Sequence, residues 1–212
     1  MENDFKNIVS TDWLERHLEA PDMRIIDSSW YFPQEKRNAE QEFLECHIPG
    51  ASFFDIDKIK DNDSDLPHML PPSEMFNSTI RKLGIGDGHK VVIYDGLGMR
   101  SAARLWWMFK VFGYSDVVVL DGGFPKWVKE NRSTTADLTE KEIRHLTIYE
   151  DKSIVADRDD VLRATKLNHC SIIDARSEGR FMGTAPEPRS GLRSGSIAVS
   201  YTHLRAHETT NY

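Results

Sequence analysis

Cysteine is scarce in this chain. Cys46 and Cys170 are the only two in 212 residues, too few for a disulfide framework and suited to a reducing cytoplasm. No apolar run approaches the roughly 20 residues that a membrane span requires, so no membrane partner is expected. The opening residues, MENDFKNIVSTDW, hold no basic stretch followed by an apolar one, so no signal peptide is expected. Positive charge is also short: 27 Lys and Arg face 34 Asp and Glu, a net −7. Nucleic acid would be repelled by that balance. What remains is ample for a packed core, with 39% hydrophobic and 10% aromatic residues. Disorder is excluded, and the length suits one large domain or two small ones.

The charge is uneven. Residues 176–212 hold five Arg and three Glu with no Lys or Asp, a local +2, which leaves −9 on residues 1–175. Chance sampling of a short window accounts for such a bias more readily than an anion-handling segment does.

Short apolar runs alternate with amphipathic ones. Ser10 or Thr11 is placed to cap a helix through Trp13, Leu14 and Leu18. Strands are predicted at Arg24 to Asp27, Ala51 to Ile56, Val91 to Tyr94 and Val117 to Leu120. Helices are predicted from Pro72-Ser73-Glu74 to a C-cap at Gly84, through Trp106 to Phe112, and after Asp121-Gly122-Gly123 through Trp127. This alternation predicts an α/β fold with a central, mainly parallel sheet flanked by helices. Residues 131–155 break the rhythm and read as a hinge or linker. An internal echo follows. LERHLEAPDMRIID (14–27) and VLRATKLNHCSIID (161–174) both put a helical pattern before Ile-Ile-Asp, 147 residues apart. A second copy starting near Ser153 has only about sixty residues and is expected to be incomplete.

Candidate chemistry is sparse. Cys46 adjoins His47, yet neighbouring residues in extended chain point opposite ways, so mutual activation is not expected. Cys170, just before a strand, reads as a small core residue. Gly96-Leu97-Gly98 lies between a strand and a helix, where backbone N–H groups cradle anions, but Asp95 at its start carries the wrong charge for one. Asp57 and His68, eleven residues apart, could form a carboxylate–imidazole pair. Five aspartates between 55 and 65 make some such neighbour almost inevitable, so the spacing also fits two solvent-facing residues. Arg180 and Arg189 flank a Gly/Pro-shaped loop that would suit a carboxylate or an oxo-sulfur anion. Surface ion pairs with Glu178 and Glu187 suit the same spacing equally.

Taken together, EFLECHIPGASF (42–53), FDID (54–57), HMLP (68–71), VIYD (92–95), WWMF (106–109), LDGG (120–123), DAR (174–176) and GRFMGTAPEPR (179–189) resemble the two-domain rhodanese-like sulfurtransferases, especially the 3-mercaptopyruvate type. The resemblance covers about residues 8–195. It implies two rhodanese-like α/β domains: a non-catalytic first domain at 8–130, a hinge at 131–152, and the start of a second domain at 153–195. It also implies transfer of sulfane sulfur from a small anionic donor to a thiol or cyanide through a cysteine persulfide, without metal or cofactor. Asp57 and His68 match supporting members of that family's catalytic group, and Arg180 and Arg189 match the arginines that hold the donor's carboxylate. Arg189 leans the expected donor toward 3-mercaptopyruvate over thiosulfate. Asp95 stands where the second domain would carry its cysteine. After Gly195 the likeness stops, and residues 196–212 are expected to be a tail unrelated to the family. No catalytic cysteine segment is present, so this chain by itself is expected to be inactive. A catalytically dead binding module and a non-functional fragment are the alternatives.

Overall fold

The computed structural model describes residues 7–167, 170–188 and 191–202. The chain divides into two units, residues 1–151 and 152–212.

The first unit is built on five parallel strands in the order β1-β5-β4-β2-β3: β1 (Ile8–Val9), β2 (Met23–Asp27), β3 (Ala51–Phe53), β4 (Lys90–Tyr94) and β5 (Val117–Leu120). β4 from Val91 onward and all of β5 are apolar runs because both of their faces are covered. Their side chains alternate between two cores. Ile26, Val91, Ile93, Val117 and Val119 pack with Phe76 and Ile80 of α3 (Ser73–Lys82) and with Leu105 and Phe109 of α4 (Ala102–Val111). Ile25, Val92, Tyr94, Val118 and Leu120 face Leu14 of α1 (Thr11–His17), Phe43 of α2 (Ala39–Glu45) and Trp127 of α5 (Gly123–Lys129). Helices therefore cover both faces of a parallel sheet, the expected class.

Local signals decide the helix starts. The Ser10 side chain accepts from the Trp13 N–H and caps α1, as its position suggested. In the first unit one strand and one α-helix escaped prediction. β1 is only two residues long, and α2 buries Phe43 alone, leaving no periodic pattern in a polar stretch; its cap is Asn38, accepting from Gln41 N–H. The strand expected through Ile56 ends at Phe53.

Residues 131–151, expected as a hinge, run back over the first unit. Thr135 exchanges backbone hydrogen bonds with His47, Tyr149 N–H donates to Phe112 C=O, and Leu146 is buried in the α3–α4 core. The passage is close: a Cβ at Gly113 (φ +77°) would lie 2.7 Å from the Tyr149 carbonyl oxygen. Backbone groups, polar side chains such as Thr147 (Oγ1 to Asp87, 2.9 Å) and Lys141 (Nζ to the Gly50 carbonyl, 2.9 Å), and Leu146 with Ile148 carry this packing, so the polar composition gave no sign of it.

The second unit holds α6 (Arg158–Leu167), β6 (Ile172–Asp174), α7 (Glu178–Phe181) and β7 (Ser200–Thr202). β6 pairs in parallel with β7, Ile172 to Ser200 through Asp174 to Thr202, as β2 pairs with β3 from Ile25–Ala51 to Asp27–Phe53. The start of the segment expected to be an unrelated tail thus supplies a strand; residues 203–212 lie outside the described residues. Ala164 is the one buried hydrophobic residue of this unit among the described residues, and Ile173, Leu192 and Val199 are more than half exposed. No helix among the described residues is long and apolar enough to cross a membrane.

Candidate active site

The sheet order sends β2 onward to β3 on one side and β4 onward to β5 on the other, so the carboxyl ends of β2 and β4 border a topological switch point, where open α/β sheets bind ligands. Asp27 ends β2, and Asp95 follows β4.

Asp95 is fully buried and acts as the loop's own anion. Its Oδ1 accepts from Leu97 N–H (2.8 Å) and Met99 N–H (3.2 Å), and its Oδ2 from Ala102 N–H (2.8 Å) at the start of α4. The N–H groups that would hold a ligand are already satisfied. The sequence reading of this loop as structural agrees with that geometry.

Beside it, Asp27 Oδ1 accepts from Ser29 N–H (2.8 Å) and from the Ser29 hydroxyl, whose oxygen accepts from Gly96 N–H (2.8 Å). Burial pushes the Asp27 carboxyl up to about 6. Asp27, Ser29, Tyr31, Arg37, Glu42 and Cys46 line a cavity of about 230 Å³. Arg37 grips Glu42 through Nε (2.8 Å) and Nη2 (2.7 Å) and stacks 3.8 Å over the Tyr31 ring, holding the Glu42 carboxyl below its usual range. Apart from Cys46, sequence reading overlooked these lining residues, since only the fold brings three separate segments to one opening.

Cys46 and His47 do not pair. His47 is fully buried, its Nδ1 donates to the Phe43 carbonyl (2.6 Å), and its ring stacks on Phe43 at 4.1 Å; its Nε2 has no partner among the described residues. Cys170, read as a small core residue, is instead exposed, because it precedes a strand whose faces are uncovered.

Asp57 and His68 do meet. His68 Nε2 donates to Asp57 Oδ1 at 2.6 Å, and Trp30 Nε1 donates to Asp57 Oδ2 at 3.0 Å. His68 sits in a turn at φ +56°, and Arg104 of α4 donates to its carbonyl. Arg104 has no carboxylate partner among the described residues; burial lowers its pKa.

In the second unit, Arg180 donates to Glu187 through Nε (3.0 Å) and Nη2 (2.7 Å). Arg176 donates to the same carboxylate (2.8 Å) and to Asp174 (2.7 Å); Arg180, aided by Arg176, holds Glu187 below its usual range, and Arg176 does so for Asp174. Arg180 is thus an ion-pair residue here, one of the two arrangements its spacing allowed. Arg189 lies outside the described residues.

A family profile described as Rhodanese-like domain matches residues 10–130. The chain belongs to the rhodanese-like family. It is 44% identical to Thiosulfate/3-mercaptopyruvate sulfurtransferase 1, mitochondrial, of Arabidopsis thaliana, over 91% of this chain and 56% of that protein. It is 38% identical to the 3-mercaptopyruvate sulfurtransferase of Mus musculus, over 96% of this chain and 72% of that one. Among solved structures, the Escherichia coli 3-mercaptopyruvate sulfurtransferase superposes with a TM-score of 0.82 at 37% identity, over 92% of this chain and 73% of the other. This rhodanese-like chain thus spans between about half and three quarters of the length of these relatives.

Proposed function

We propose that this rhodanese-like chain is the leading part of a sulfurtransferase of the 3-mercaptopyruvate/thiosulfate type, as its relatives are named. In such a reaction a cysteine thiolate attacks the donor's sulfur, the C–S bond of 3-mercaptopyruvate breaks, and the carbon leaves as an enolate that takes a proton to become pyruvate. The resulting persulfide gives its outer sulfur to a thiol or to cyanide, regenerating the thiolate. The observation that carries the proposal is the bond between His68 Nε2 and Asp57 Oδ1, formed across eleven residues of loop. That pair would exchange protons with the reacting groups, while Arg180 and Arg189 would hold the donor's carboxylate.

Residues 8–130 would be the non-catalytic domain, with its cradle filled by Asp95, and 153–195 the start of the catalytic one. Both cysteines are free, which fits a reducing compartment such as the cytoplasm. Cys46 ends α2 and Cys170 precedes β6, so neither follows a central strand as the family's cysteine would, and this chain itself is expected to be inactive. Incubated with 3-mercaptopyruvate and cyanide, it should form thiocyanate no faster than a blank. Turnover that Cys46→Ser or Cys170→Ser abolishes would refute this.

A further inference from the structure

We propose that Trp30 is a positioning residue for the Asp57–His68 pair: its indole N–H holds one oxygen of Asp57 so that the other faces the imidazole. The inference rests on the reading of Asp57 and His68 as the supporting pair. The Asp57 side chain is 61% exposed, on the turn that follows Ile56. A carboxylate that open samples several rotamers unless both of its oxygens are held. Here both are, by Trp30 at 3.0 Å and His68 at 2.6 Å.

Trp30 suits the task for three reasons. It follows Asp27-Ser28-Ser29, all buried at the end of β2, so its backbone starts from the rigid sheet. Its ring packs partly buried against the α3–α4 core, edge-on to Phe32 at 4.9 Å and edge-on to His68 at 4.9 Å and 79°. Its Nε1 is a donor only, so it never competes for the imidazole proton. Trp30 and Asp57 also line one cavity of about 220 Å³, so the carboxylate that Trp30 holds borders an opening. On the other side, Arg104 fixes the His68 carbonyl in a backbone conformation that side-chain-bearing residues avoid. With Nε2 committed to Asp57, Nδ1 is the nitrogen left to exchange a proton.

Proton NMR of the ¹⁵N-labelled chain tests this. The parent should show a downfield His68 Nε2–H resonance that exchanges slowly with water, and Asp57→Ala should abolish it. Trp30→Phe keeps an aromatic ring beside His68 and removes the N–H; exchange should then accelerate about tenfold, the effect of losing one hydrogen bond of ordinary strength. Replacing Trp30 by benzothienylalanine, which keeps the bicyclic shape without the N–H, should do the same if phenylalanine disturbs folding. An unchanged exchange rate in a folded N–H-less variant overturns the proposal. Failure of the catalytic reading is a separate outcome: Asp57→Ala would leave sulfur transfer intact in a chain extended to the length of its relatives, whatever the NMR signal shows.

Discussion

Replacing Asp95 by alanine removes the internal anion of the β4–α4 loop, and the structure sets the size of the effect. Three backbone N–H groups lose their acceptor: Ala102, fully buried, and Leu97 and Met99, partly buried. A buried donor left unsatisfied costs about 1–3 kcal/mol, and the two partly buried ones cost less because water can reach them. The sum is about 2–4 kcal/mol, a large share of the roughly 5–15 kcal/mol that holds a typical domain together. Asp95→Asn keeps one oxygen but turns an N–H₂ group toward an N–H, so it should lose about half as much. Urea unfolding followed by tryptophan fluorescence would give the order parent, Asn, Ala. Added sulfate should recover more stability in the alanine variant than in the parent, because the vacated donors form an anion cradle. An alanine variant within about 0.5 kcal/mol of the parent, the range of an ordinary surface substitution, would refute the argument.

Other outcomes follow from the same geometry. The folded-state Asp27 carboxyl, at about 6 against 3.8, favours the protonated form; its contribution is fully present below about 3.8 and is lost as pH rises through 6. At about 1.4 kcal/mol per pH unit this is about 3 kcal/mol, so the stability difference between the parent and Asp27→Asn should change by that order between pH 4 and 7. A pH-independent difference would count against it. Leu146→Ala should destabilise the first unit by about 2–4 kcal/mol in denaturant titrations, as a buried leucine would and a linker residue would not. A loss under about 0.5 kcal/mol, the range of a surface residue, would return residues 131–151 to a hinge. In a chain extended to the length of its relatives, Arg180→Ala should lower kcat/KM for 3-mercaptopyruvate about 10- to 100-fold in a steady-state thiocyanate assay, the value of one charge-assisted bidentate contact. Unchanged kinetics would leave Arg180 as the partner of Glu187 alone.

The α/β class could be read from the chain because its causes are local. Val91–Tyr94 and Val117–Leu120 are apolar at every position, which marks strands buried on both faces, and Ser10 supplies a cap just where the helix begins. The family resemblance likewise rests on ordered motifs that need no coordinates. Tertiary structure decided what depends on chain path. Asp57 and His68 are joined only because the loop between them folds back, and any of five aspartates could have been the partner. Trp30 gave no signal, since its donor acts across 27 residues. The strap from 131 to 151 adheres largely through its own backbone N–H and C=O groups, which nearly every residue type carries, with Thr147, Lys141 and Leu146 adding side-chain contacts. Asp95 lies between these cases. Its charge at the loop was legible in the sequence, but only the folded backbone turns three N–H groups onto it.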